Sequence, residues 1–147
     1  SSAEFIRFGL DLDEWEQNLR YVKSFSNIEL MVNGTTTCLS VKTLPELIRK
    51  LTDLDGPYHF SGVDRMPFLE LNTIPSDLIV KEINESIALL PDWSRDRLAG
   101  LKVLLDPVGN VDKMKNLKHY LNELSNRRNL NWQETFPWLT EVLNNVV

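Results

Sequence analysis

The sequence has little that would support disulfide, metal or membrane chemistry. Its single cysteine, Cys38, cannot form a disulfide within the chain, and nothing indicates an oxidising compartment. Its two histidines, His59 and His119, do not lie at a ligand spacing from another ligand-type residue, so we expect no metal site. No apolar run approaches the roughly 18 residues that a membrane helix needs. We therefore expect a cytoplasmic protein that does not bind membranes.

Positive charge is also scarce. The chain has 16 Lys and Arg residues against 21 Asp and Glu residues, a net charge of −5, and no dense basic stripe with interleaved aromatics. Binding to nucleic acid through phosphate neutralisation is therefore not expected. The sequence also lacks glycine-rich phosphate loops and the Gly-x-Ser-x-Gly motif of hydrolases, so it carries none of the familiar signatures of nucleotide binding or hydrolysis.

What is present is the composition of an ordinary globular domain: 147 residues, of which 42% are hydrophobic. In the first half, Phe5–Phe8 reads as a short strand and Leu12, Trp15 and Leu19 predict a helix over residues 12–24. A second helix is predicted to run from residue 44 to about residue 53. The order of strands and helices favours a parallel sheet.

Two further strands are predicted in this half. From Ile28 to Val32, every second residue is aliphatic, and this alternation predicts a strand within residues 27–40. The run from Tyr58 to Val63 predicts another strand, and the apolar residues from Phe68 to Leu71 are predicted to extend it. Asn33-Gly34 is a favoured pair for a two-residue hairpin turn. The alternative is that this pair ends the strand as a loop that carries Thr35 to Thr37, whose hydroxyls can bind either a ligand or the neighbouring backbone. We favour a plain turn or an edge strand over a ligand loop.

From Pro75 onward the strand patterns disappear and helical periodicity takes over. We therefore predict an α/β protein with a small, partly parallel sheet followed by a helical C-terminal tail. Residues 1–74 form the α/β half and residues 75–147 form the tail, and we expect the two to pack as one unit.

The residue types most often used in chemistry have simpler interpretations here. Cys38 has no basic neighbour that would activate a thiolate, so a small buried hydrophobe is the favoured interpretation. The carboxylates between Asp11 and Glu16 are explained by helix capping and the helix dipole. For the four tryptophans we favour packing over contact with a substrate.

Several segments together resemble the later half of a twitch-type radical S-adenosylmethionine (SAM) enzyme. The segment Ala3–Asp11 is similar to the family's phrase Ala-Glu-(Phe/Tyr)-Ile-Arg-x-Gly-Leu-Asp, and Asn18-Leu19 follows within the helix. The stretches Met66–Pro75 and Arg127–Leu139 are similar to other short phrases of such proteins. The resemblance covers most of the chain and implies that the α/β half is a fragment of a partial barrel.

The sequence departs from this family at its defining feature. A Cys-x3-Cys-x2-Cys loop supplies three thiolates to the [4Fe–4S] cluster that reduces SAM, whereas this chain has only Cys38. The resemblance therefore implies a C-terminal, substrate-side piece of a parent enzyme that uses SAM and [4Fe–4S]. For the chain alone we expect neither cofactor chemistry nor catalysis, and the sequence, which begins at Ser1-Ser2 without Met, fits a processed chain or a piece.

The resemblance also implies positions for cofactor contact. It places Ile28–Val32 on a late barrel strand, and the carboxyl end of such strands carries the ligand site in α/β folds. The SAM-contacting positions carried over from the family are Asn33, Thr35, Thr37, Phe60 and Val63.

The partner implied for such a fragment is the missing N-terminal barrel half or, in its place, a second copy in a homodimer that covers a free sheet edge. The alternative is a stand-alone small α/β protein-interaction domain that binds a partner through its helical tail. The substrate stays open.

Overall fold

The computed structural model describes residues 1–7, 9–54 and 57–146. The described chain is mostly helical and contains one small parallel sheet, so the α/β prediction is confirmed at that level. The α-helices and strands are α1 (Ser2–Ile6), α2 (Leu12–Lys23), β1 (Val32–Thr36), α3 (Leu44–Asp53), β2 (Tyr58–Gly62), α4 (Val80–Leu89), α5 (Asp92–Leu101), α6 (Val111–Arg128), α7 (Trp132–Thr135) and α8 (Thr140–Asn144).

Strands β1 and β2 pair in parallel, with Val32 opposite Tyr58 and Thr36 opposite Gly62. The connection between them carries α3, as parallel strands require a crossover rather than a tight turn. Helix α3 buries Leu44, Ile48 and Leu51, which share one face at helical spacing. The periodicity analysis predicted α2 and α3 nearly to their ends.

The strand predicted over Phe5–Phe8 is wrong where the structure describes it, because residues 2–6 form helix α1; Phe8 lies outside the described residues. Ser1 accepts a hydrogen bond from the Glu4 N–H and the Glu4 carboxylate reaches back to the Ser1 amino group, which caps the helix. Phe5 then packs edge-on against Phe136, with ring centroids 5.4 Å apart. A tertiary contact thus determines the structure of a run that locally favours a strand.

The hairpin turn predicted at Asn33-Gly34 is also wrong, because both residues lie inside β1. The ring of Phe60 lies over Gly34 on the neighbouring strand, and a Cβ at position 34 would lie 2.5 Å from two ring carbons. Gly34 is therefore needed for close approach of a side chain, not for a turn. The strand begins only at Val32, and Ile28 is exposed outside it.

The predicted extension of the second strand through Phe68, Leu69 and Leu71 is wrong as well. Pro67–Leu69 and Leu71–Thr73 are 3-10 helices, and Thr73 donates a hydrogen bond from its hydroxyl to the Pro67 carbonyl. Proline at the start of the first turn removes a donor that a strand would need. The sheet of the described residues therefore has two strands where the sequence predicted three.

The remainder of the chain is helical, as predicted. Helix α6 begins at the Asn110 cap, whose side chain accepts from the Lys113 N–H, and ends at Asn129 in the left-handed conformation. Its buried face packs in a core that also contains Phe5 and Cys38 from the first half of the chain. A second core lies beside the sheet, between α3, β2 and residues of α5.

Candidate functional site

A groove of about 620 Å³ runs along the edge of β1 that faces away from β2. Val32, Asn33, Gly34 and Thr35 all line it, although neighbouring residues of a strand point to opposite faces. From β2 only Phe60 reaches it. Because residues from both faces of β1 line the cavity and β2 contributes a single residue, we infer that the cavity follows the free edge of β1.

The backbone of β1 has a defined direction at this edge. The Val32 N–H donates to the Pro57 carbonyl on the β2 side, at 3.0 Å. Because backbone groups alternate along a strand, Gly34 and Thr36 also face β2, and the N–H and C=O groups of Asn33 and Thr35 face the groove. Within the described ranges, no strand lies beside them.

Four of the five positions carried over from the family resemblance lie together on this groove: Asn33, Thr35, Thr37 and Phe60. Asn33 and Thr35 are exposed. The sequence analysis placed them after the end of the strand, whereas the structure places them within β1. Val63 is not brought to the groove, because it packs against the core around α6.

The loop that follows β1 is fixed by its own hydrogen bonds. The Thr37 N–H donates to the Ser40 hydroxyl at 2.9 Å, and the Ser40 N–H donates to the Thr37 hydroxyl at 3.1 Å. Of the two predicted roles of the threonine hydroxyls, the local backbone contact is thus the one that Thr37 makes. The Thr35 side chain remains the exposed hydroxyl of this segment that faces the groove.

The opposite wall comes from residues that the sequence analysis did not assign to a site. Helices α1 and α2 contribute Ile6 and Trp15, and α3 contributes Leu44 and Leu47. Arg7, which directly follows α1, is the single charged side chain that the described residues contribute to the lining. The sequence signal for this wall was a basic residue, Arg7, within an apolar run near the start of the chain. The sequence analysis interpreted that run as a strand and therefore did not assign Arg7 to a site.

Cys38 lies just beyond β1 and is fully buried, with Sγ 3.8 Å from the Phe68 carbonyl oxygen. Burial raises the pKa of its thiol to about 12, because desolvation disfavours the thiolate. The prediction of a small buried hydrophobe is confirmed.

The histidines do not contribute to the groove lining. The His59 ring contacts Arg97, and His119 lies on the exposed side of α6, in a shallower cavity of about 420 Å³ with Tyr120 and Glu123. Among the described residues, no group of three or more His, Cys, Asp or Glu side chains is placed to hold a metal ion.

The tryptophans divide between packing and exposure. Trp132 is buried and donates its indole N–H to the Asn122 side chain at 2.8 Å, as the packing interpretation predicts. Trp138 packs against the core around α6, with the Lys42 ammonium 5.4 Å from its ring centre. Trp93 is exposed, and its ring centre lies 5.9 Å from that of Tyr58.

Comparison with models of protein families, with curated proteins and with solved structures finds no match to this chain. In the part of the chain that the structure describes, no helix combines the length and the apolar character needed to cross a membrane.

Proposed function

We propose that this chain is the C-terminal, substrate-side part of a radical SAM-like enzyme and is not catalytic alone. The observation that supports this most is the groove at β1, which is lined by Asn33 and Thr35 of β1, by Thr37 just after it and by Phe60 of the parallel strand β2. In α/β folds, ligands bind where parallel strands meet their loops. Its volume of about 620 Å³ is that of a small-molecule site.

The residues of this chain do not fit an iron–sulfur cluster. Such a cluster needs several accessible thiolates, and the one cysteine is buried with its pKa raised to about 12. The cluster would belong to the N-terminal barrel half, which we propose as the partner that completes the parent enzyme, with a second copy of the chain as the alternative. A partial barrel in that parent is part of the same proposal.

From the sequence we expect no cofactor in the isolated chain, and the groove adds the prediction that this chain binds SAM weakly while it neither holds a cluster nor cleaves SAM. Calorimetric titration with SAM tests the binding, and Asn33→Ala should weaken it whereas Asn126→Ala, on the exposed side of α6, should not. Anaerobic reconstitution with iron and sulfide tests the cluster. A stoichiometric cluster that survives desalting and is lost in Cys38→Ala would contradict the proposal.

A stand-alone interaction domain is the second candidate, and one surface favours it. Val103 and Val108 are exposed on the connection between α5 and α6, and Val111 is exposed at the start of α6. This connection is held in place, since the Ser76 N–H donates to the Asp106 carbonyl at 2.8 Å and a Cβ at Gly109 would lie 2.8 Å from the Ile74 carbonyl carbon. Exposed apolar side chains on a fixed loop are typical of a protein contact. A wild-type chain that shows no SAM binding in the titration would favour this candidate.

A further inference from the structure

The free edge of β1 offers unpaired backbone groups inside an apolar groove. The N–H and C=O groups of Asn33 and Thr35 are directed into it, and no neighbouring strand in the described residues covers them. Backbone groups left in partly apolar surroundings gain from a hydrogen-bonded partner. An extended peptide supplies such partners at the spacing of a strand.

The lining selects the chemistry of that peptide. Apart from threonine, serine and asparagine, the described lining residues are apolar, and the charge among them is the Arg7 guanidinium. No described residue forms an ion pair with Arg7. An apolar segment that carries one carboxylate complements both features.

A single extended segment is the simplest occupant of this edge. Residues of α1, α2 and the start of α3 line the groove beside β1. A second copy that paired edge to edge would bring its own copies of these residues along with its strand. An isolated peptide segment brings only a backbone and its side chains.

We propose that the β1 groove binds an extended, apolar peptide segment with a carboxylate, which pairs with the backbone of Asn33 and Thr35 and places its carboxylate at Arg7. This goes beyond the enzyme proposal, and it does not depend on whether SAM binds.

The test uses a capped pentapeptide, acetyl-Val-Thr-Val-Thr-Val with a free C-terminal carboxylate, titrated into the full chain and followed by amide chemical shifts. We expect the Asn33 and Thr35 amides to shift and to exchange more slowly with solvent. The same peptide N-methylated at every amide, which removes the donors of both of its edges, should not bind. Equal binding of both peptides, or no shift at Asn33 and Thr35 at millimolar peptide, would overturn the proposal.

Two pairs of variants separate the backbone contact from the charge. Thr35→Pro removes the N–H on the free side of β1 and should abolish binding, whereas the isosteric Thr35→Val keeps the N–H and should retain it. Arg7→Gln should weaken binding about fivefold, and Lys115→Gln, a loss of one charge on α6, should not. Circular dichroism confirms that each variant is folded.

The remaining outcomes also decide the question. Peptide binding without SAM binding supports this inference and contradicts the enzyme proposal. SAM binding without peptide binding contradicts this inference and supports the enzyme proposal. A chain that sediments as a dimer in which the Asn33 and Thr35 amides are already protected would assign the edge to a second copy and overturn the inference.

Discussion

The core around α6 and the core beside the sheet differ in their share of the groove. Leu117 and Leu121 of α6 are fully buried and take no part in its lining, and the same holds for Leu139 and Leu143 of the C-terminal segment. Beside the sheet, Trp15 and other apolar side chains are only partly buried and line the groove. The groove therefore opens mainly from the sheet core, which leaves one strand edge open for a ligand.

Truncation of a leucine in each core should show the largest difference. Leu121→Ala leaves a cavity among fully buried neighbours and should lower the free energy of unfolding by about 2–5 kcal/mol. Leu47→Ala, on the groove wall, should cost about 1 kcal/mol because water already reaches that site. Urea denaturation measures both, and equal losses would mean that the groove is closed in solution.

Adding a methyl group to glycine should give opposite signs in two places. Gly34→Ala drives a Cβ into the buried Phe60 ring and should destabilise the chain by about 1–3 kcal/mol. Gly100→Ala in α5 meets no atom within 4 Å and should stabilise it by about 0.5–1 kcal/mol. Thermal unfolding checks both variants. Phe60→Leu should recover part of the loss in the double variant with Gly34→Ala, and no recovery would contradict the role given to Phe60.

The Cys38 thiol should make stability depend on pH in the alkaline range. Its pKa is raised from 9.0 to about 12 by burial, so the unfolded chain loses this proton first as the pH rises. The stabilising contribution is complete below pH 9 and is lost towards pH 12. Wild type should therefore lose stability more steeply above pH 9 than Cys38→Ala, which lacks this thiol. Rapid alkylation of the folded wild type at neutral pH would contradict the burial.

The smallest expected effect is a difference in hydrogen-exchange rate between neighbouring amides of β1, which does not involve the global stability of the chain. Gly34 and Thr36 direct their N–H groups to β2, and Asn33 and Thr35 direct theirs to the groove. Hydrogen exchange of the chain without peptide should therefore be slow at the first pair and fast at the second. Protection at all four amides would mean that the edge is covered.

Local patterns predicted the helices well, and the reason is visible in α2. Asp11 caps it through the Asp13 and Glu14 N–H groups, and Leu19 is its buried residue. Both features depend on residues a few positions apart, which a sequence displays directly. Four of the five proposed cofactor positions also lie on one groove, although their use as a SAM site stays a prediction.

Two of the failures, at Phe5 and at Gly34, share one physical cause. Phe5 is helical in α1 and packs on Phe136, and Gly34 is extended because Phe60 covers it. In each case the partner is distant along the chain, and its contact outweighs a local preference that is worth less than about 1 kcal/mol. Arg7 was missed as a groove residue for the same reason.

The sequence by itself determined the helical periodicity, the capping of α2, the buried character of Cys38 and the α/β class. These follow from the spacing and chemistry of residues close together in the chain. The tertiary structure alone decided that the sheet has two strands in the described residues, and that the edge of β1 faces a groove with Arg7 at its wall. Such features depend on which distant segments meet, and the free energy of those contacts is distributed over packing that no local pattern encodes.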